Sequence, residues 1–111
     1  MILTRESMLA RIVAYNELRS ALSDNDFGFS LMQWAVLIRL SHAEKLRTTD
    51  LATYLHVEIP LITMMSRDLF RLELIVHVSG SSDRREKYIA ITPAGRSALS
   101  GLLRVERGAT S

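Results

Sequence analysis

The stretch Asp83-Arg84-Arg85-Glu86-Lys87 carries the side chains of this chain best suited to gripping another molecule. It lies between two serines and an alternating run, Tyr88 to Thr92, that ends at Pro93. A guanidinium is a planar fork of donors that matches phosphate oxygens and the guanine edge. On a protruding loop it can also enter a narrow groove of enhanced negative potential. The ordinary alternative is a solvated hairpin tip, where exposed charges contribute little.

Other chemistry finds less support. No nucleophile elbow, phosphate loop or paired-carboxylate pattern appears, so no catalytic residue is expected. His42, His56 and His77, with Glu44 and Asp50, fall in separate segments without metal-ligand spacing, and no metal or other cofactor is expected. The chain has no cysteine, which removes disulfides and thiolate sites. Five methionines suit adaptable core packing.

The 111 residues are enough for one domain, and 48% apolar with 23% charged is a globular balance. No secretory signal or membrane span is expected, because charges break the apolar pattern from Arg5 onward and again at Arg39. A cytoplasmic, nucleoid-associated protein is the expectation. The net charge of +2 is mild, but twelve of the fourteen basic residues are arginine. That usage suits phosphate recognition, and it also follows from a GC-rich genome.

The elements that must position these residues follow from periodicity. Met8, Ile12, Tyr15 and Leu22 predict a helix over 4–22 capped by Thr4. Asp24 to Gly28 is a loop. Ser30 caps a helix over 31–41 that is apolar almost all round and therefore central. Thr48 caps a short helix to Leu55, with Asp50 in its first turn. After a turn at His56 to Glu58, Pro60 opens a helix to about Leu72. Its core stripe is Ile62, Met65, Leu69 and Leu72, and its outer face holds Pro60, Thr63, Met64, Arg67 and Arg71. Two β-type runs, Ile75 to Ser79 and Tyr88 to Thr92, flank the polar tip. Thr92-Pro93 starts a last helix to about Arg104, and the tail beyond is expected to fray. The fold class is thus mainly α (α+β): a single winged helix-turn-helix domain, with the helix-turn-helix over 48–72 and the wing over 75–92.

Leu51 to Leu55 (LATYL), Thr63, and Ser82 to Gly95 (SDRREKYIAITPAG) together resemble the MarR family of bacterial winged-helix transcription regulators. The wing carries the resemblance: Asp-Arg-Arg, a seven-residue strand and turn ending in Thr92, then Gly95, without a gap. The resemblance spans roughly residues 30 to 100. It implies that Asp83 pairs with Arg85 to stiffen the wing and that Arg84, with Arg85, reaches the minor groove or phosphates. An aspartate two residues away orders such a loop by a charge-assisted contact. The family has Gly where this chain has Glu73, so Glu73 must take a left-handed conformation or end the helix differently. Where the first wing strand often carries Arg, this chain has His77. The reading helix opens Glu58-Ile59-Pro60-Leu61 rather than with small polar residues.

The resemblance implies double-stranded DNA as partner and a homodimer formed through segments 1–28 and 93–111. It also implies a pseudo-palindromic operator and release by a small aromatic ligand. The candidate DNA contacts are Pro60, Thr63, Ser66, Arg67 and Arg71 on the reading helix. Thr48 joins them ahead of it, and Arg84, Arg85 and Lys87 on the wing. Arg71 has a second reading, as a partner of Asp68. The alternative function is a winged-helix module that docks on a protein, favoured by Glu58-Ile59-Pro60 and disfavoured by the intact Asp-Arg-Arg wing.

Overall fold

A computed structural model of the chain describes residues 3–22, 27–80 and 87–110, with side chains through Gly101. The order is α1 (Arg5–Leu22), α2 (Leu31–Ser41), α3 (Thr48–Leu55), α4 (Ile59–Arg71), β1 (Ile75–Ser79), β2 (Lys87–Ile91) and α5 (Pro93–Thr110). The sequence order of elements stands, and the winged helix-turn-helix architecture with flanking helices is the observed one.

α2 forms because Ser30 supplies both halves of a capping box. Its hydroxyl accepts from the Gln33 N–H at 3.3 Å, and Gln33 Oε1 accepts from the Ser30 N–H at 2.9 Å. Trp34, Val36, Leu37 and Leu40 then face inward, almost wholly buried. α2 touches α3, α4, β2 and α5, so it is the post on which the helix-turn-helix and the wing are mounted.

α3 begins at Thr48 itself, so the cap falls one residue earlier than its sequence suggests. Thr48 is its first helical residue, and Arg47 is the flanking cap. An arginine has no acceptor to offer a helix N-terminus, so the satisfied bond runs the other way. Asp50 Oδ2 accepts from the Arg47 N–H at 2.9 Å and from Arg47 Nε at 3.3 Å. The turn to α4 closes at His56, which adopts a left-handed φ of 58°. The Val57 N–H bonds back to the Ala52 carbonyl at 3.0 Å, and half-buried Val57 packs on the core.

α4 starts at Ile59, with Pro60 second rather than first. Its inward stripe is Ile62, Ser66 and Leu69, while Leu72 is 40% exposed. The helix ends at Arg71, so Leu72 leaves the stripe that its spacing suggested, and Leu74 takes its place at 4% exposure. The exit is a left-handed cap. Glu73 has φ of 60°, its N–H bonds to the Phe70 carbonyl at 3.0 Å, and the Leu74 N–H bonds to the Leu69 carbonyl at 2.9 Å. Glu73 thus adopts the conformation that glycine would take without strain.

β1 and β2 pair antiparallel, from Ile75 opposite Ile91 to Ser79 opposite Lys87. β2 therefore begins one residue earlier than its alternation suggested. Thr92 leaves the ladder to cap α5, its Oγ1 accepting from the Gly95 N–H at 3.1 Å. The sheet has a third edge that the sequence reading missed. Leu46, just ahead of α3, bridges Ile89 through N–H···O=C bonds of 2.9 and 2.7 Å. α5 extends to Thr110, beyond the expected end at Arg104. Val105-Glu106-Arg107 contains no residue that breaks a helix.

α1 is capped as its sequence predicts, Thr4 Oγ1 accepting from the Ser7 N–H at 3.0 Å. Leu22 is its one buried residue. Met8, Leu9, Ile12, Val13, Tyr15 and Leu18 are each between 45% and 61% exposed.

Candidate nucleic-acid interface

The outer face of α4 follows directly from helical spacing. With Ile62, Ser66 and Leu69 turned inward, Pro60, Thr63, Met64, Arg67 and Arg71 must face out, and all five are exposed. Arg67 lies one turn beyond Thr63 on that face. The Thr63 hydroxyl donates to the Ile59 carbonyl at 3.3 Å, which leaves its oxygen lone pairs outward as acceptors.

Beside this face, an open cleft of about 460 Å³ runs between α4, the start of α3 and the wing sheet. Thr48, Thr63, Ser66, Arg67, Phe70, His77 and Ile89 line it. The cleft brings together four candidates that sequence separates: Thr48 from α3 and Thr63, Ser66 and Arg67 from α4. Lys87 stands at the far end of the ladder, exposed and opposite Ser79. Asp83, Arg84 and Arg85 lie outside the described residues.

Two candidates change character. Ser66 is 2% exposed, and its Oγ has no hydrogen-bond partner among the described residues. It sits one turn from Ile62 on the buried stripe, so it forms the floor of the cleft and cannot reach a base edge. Its polarity drew attention that its spacing contradicts. Arg71 bonds Asp68 at 3.2 Å, as its i,i+3 spacing allows, and Asp68 is also bonded by Gln33 Nε2 at 3.3 Å. Arg71 thus has Asp68 as a partner on its own helix while its side chain stays 69% exposed.

A contact that the sequence does not announce joins the wing to α4. His77 on β1 stacks on Phe70 of α4, with ring centroids 4.1 Å apart and planes 19° from parallel. Both residues line the cleft, so the stack closes its back wall. Further cation–π contacts brace the outside of the fold: Arg39 over Tyr54 at 4.2 Å, and Lys45 over Tyr88 at 4.6 Å. Asp50 is the titratable group clearly perturbed near the interface. The Arg47 N–H bond lowers its pKa most, burial opposes this in part, and the Arg47 side-chain bond with the Arg47 and Arg39 charges lowers it further.

Among the described residues no group of histidines and carboxylates is arranged to hold a metal. None of the described helices is long and apolar enough to cross a membrane.

Comparison with known proteins agrees with this geometry. Among solved structures, RV1404 from Mycobacterium tuberculosis superposes with a TM-score of 0.81 at 21% identity, over 99% of this chain and 78% of that one. A probable transcriptional regulator from Pseudomonas aeruginosa gives 0.76 at 21% identity, over 94% and 79%. MepR of S. aureus, in its DNA complex, gives 0.75 at 21% identity, over 95% and 87%. These likenesses establish the fold. No curated protein matches the sequence. The MarR family model matches residues 29–87, more than half of the chain, from just ahead of the central helix to the first residue of the returning wing strand. This chain is a winged helix-turn-helix regulator of the MarR family.

Proposed function

We propose that the chain is a sequence-specific, DNA-binding transcriptional repressor that acts as a cytoplasmic, nucleoid-associated homodimer on a pseudo-palindromic operator. One observation carries the reading. α4 turns an unobstructed face outward, beside a wing sheet whose return strand begins at exposed Lys87. α4 enters the major groove, Thr48 and Arg67 contact the backbone beside it, and Arg84 and Arg85 reach the adjacent minor groove. The exposed apolar face of α1 supports dimerisation through the terminal helices, which space two reading heads about one helical turn apart. A small aromatic ligand lodged between those helices and the reading lobe would change that spacing and release the operator.

The second reading, a protein-docking module, is favoured by the exposed apolar side chains at the reading end: Ile59 at 46% and Met64 at 53%. Salt titration of duplex binding separates the two. A DNA-binding dimer loses affinity steeply, and Arg84→Ala lowers the log–log slope by about two per dimer, one for each lost phosphate contact. Affinity weaker than roughly 10⁻⁵ M at moderate salt, with no sequence preference, rules out the repressor reading.

A further inference from the structure

A reading helix recognises bases with whatever donors, acceptors and methyl groups its outer face presents, so those groups can be counted. Glu58, at the tip of α4, is exposed and makes no capping bond with its side chain. Ile59 and Met64 are exposed apolar side chains, and Pro60 beside them has no N–H. The N–H groups of Leu61 and Ile62 turn back to the Glu58 carbonyl, at 3.0 and 3.4 Å. Thr63 spends its hydroxyl proton on the Ile59 carbonyl. The first two turns of this face therefore offer acceptors and methyl groups and almost nothing that donates. Arg67, the nearest guanidinium on the same face, is about 13 Å along the helix axis from Glu58.

Such a face is poorly matched to phosphates and to guanine, which present acceptors. In the major groove the complementary groups are the exocyclic amines of cytosine and adenine and the methyl group of thymine. A carboxylate pairs with the cytosine N4 amine, whereas adenine N7 next to its amine repels a second acceptor. We infer that Glu58 is a specificity-determining residue that selects a cytosine in each half-site by accepting from its N4 amine, with Ile59 and Met64 seated on neighbouring thymine methyls. The inference rests on the DNA-binding reading above and assigns the chemistry of its base contacts.

Selection of bound fragments from random duplex DNA tests it, with the full-length protein, Glu58→Gln and Met64→Ala run in parallel. Among the described residues the Glu58 side chain makes no bond, its capping position included, so the Gln variant is expected to fold as the parent does. The wild-type half-site is expected to contain a C·G pair that Glu58→Gln exchanges for A·T at the same position, because glutamine pairs with adenine N6 and N7. Discrimination there changes roughly ten- to a hundredfold, with the rest of the site intact. Replacing the flanking thymines by uracil weakens wild-type binding several-fold and Met64→Ala by less, because that variant keeps only the Ile59 contact. A Gln variant that binds every sequence more tightly with an unchanged preference would place Glu58 against phosphates and overturn the inference, leaving the DNA-binding reading in force. A wild-type protein that selects no fragment overturns both.

Discussion

Thr92 Oγ1 donates to the Glu73 carbonyl oxygen at 2.7 Å while accepting from the Gly95 N–H at 3.1 Å. The Thr92 N–H bonds the Leu74 carbonyl at 3.0 Å. One side chain therefore caps α5 and holds the exit of α4, tying the terminal helix to the reading helix. Thr92→Val keeps the shape and removes both hydroxyl bonds, and is expected to cost about 1–2 kcal/mol. Thr92→Ser should recover most of it. Urea unfolding with an unchanged slope is the measurement.

Glu73 itself is exposed and holds φ of 60°. The left-handed conformation costs an L-residue roughly 1–2 kcal/mol, part of which glycine returns as unfolded-state entropy. Glu73→Gly is expected to stabilise the fold by about 0.5–1 kcal/mol, read as a higher urea midpoint. A lower midpoint would mean that the Glu73 side chain contributes something its exposure hides.

Gly95 is required for a different reason, since its φ is unremarkable. A Cβ there would overlap the Leu74 carbonyl oxygen and come within 2.7 Å of Ile91 Cγ1. The backbone cannot retreat without breaking the Thr92 bonds. Gly95→Ala is expected to destabilise by about 1–3 kcal/mol, whereas Gly101→Ala, where a Cβ would meet open space, should be neutral or mildly stabilising. Thermal melts of the two variants make the comparison.

These positions also explain what was legible beforehand. Element order followed from apolar spacing and from Ser30, Thr4 and Thr92-Pro93, because caps and helical stripes are local. Glu73 was legible as a conflict between residue type and the conformation its position demands. Leu46 was not, since a one-residue bridge to Ile89 leaves no periodicity in the chain. The His77–Phe70 stack pairs residues from different elements, and neither type announces it. Ser66 was misread because its hydroxyl outweighed its spacing from Ile62 and Leu69. At the site, helical phase placed Thr63 and Arg67 correctly on the outer face, but only the fold could place Thr48 beside them.

The Asp50 carboxylate titrates below the usual aspartate range when folded, chiefly because it accepts from the Arg47 N–H. A depressed folded pKa means that the carboxylate stabilises fully above its unfolded value, near pH 4. That contribution is lost as pH falls through the folded value. Stability of the wild type should therefore fall with pH below about 4 more steeply than that of Asp50→Asn, which keeps an amide oxygen for the Arg47 N–H. Denaturation curves collected from pH 6 down to pH 3 test this, and parallel curves would show that the Asp50 charge is immaterial.

Ile12 is 53% exposed in the middle of α1, with Met8 one turn before it and Tyr15 one turn after. A stripe of this kind is stable in water only when it is covered, and a two-fold dimer would bury each Ile12 in the same environment. Removing a buried isoleucine loses roughly 1.5–3 kcal/mol per side chain, and a carboxylate adds a desolvation cost. Because the isologous contact counts twice, Ile12→Asp is expected to weaken dimerisation at least several hundredfold. Within the chain α1 buries only Leu22, so the monomer should keep its helical circular dichroism and its cooperative melt. Sedimentation across a concentration series reads the association, and operator binding should fall with it because one head alone makes half the phosphate contacts. A dimer of unchanged affinity would move the seam away from this face of α1, toward α5.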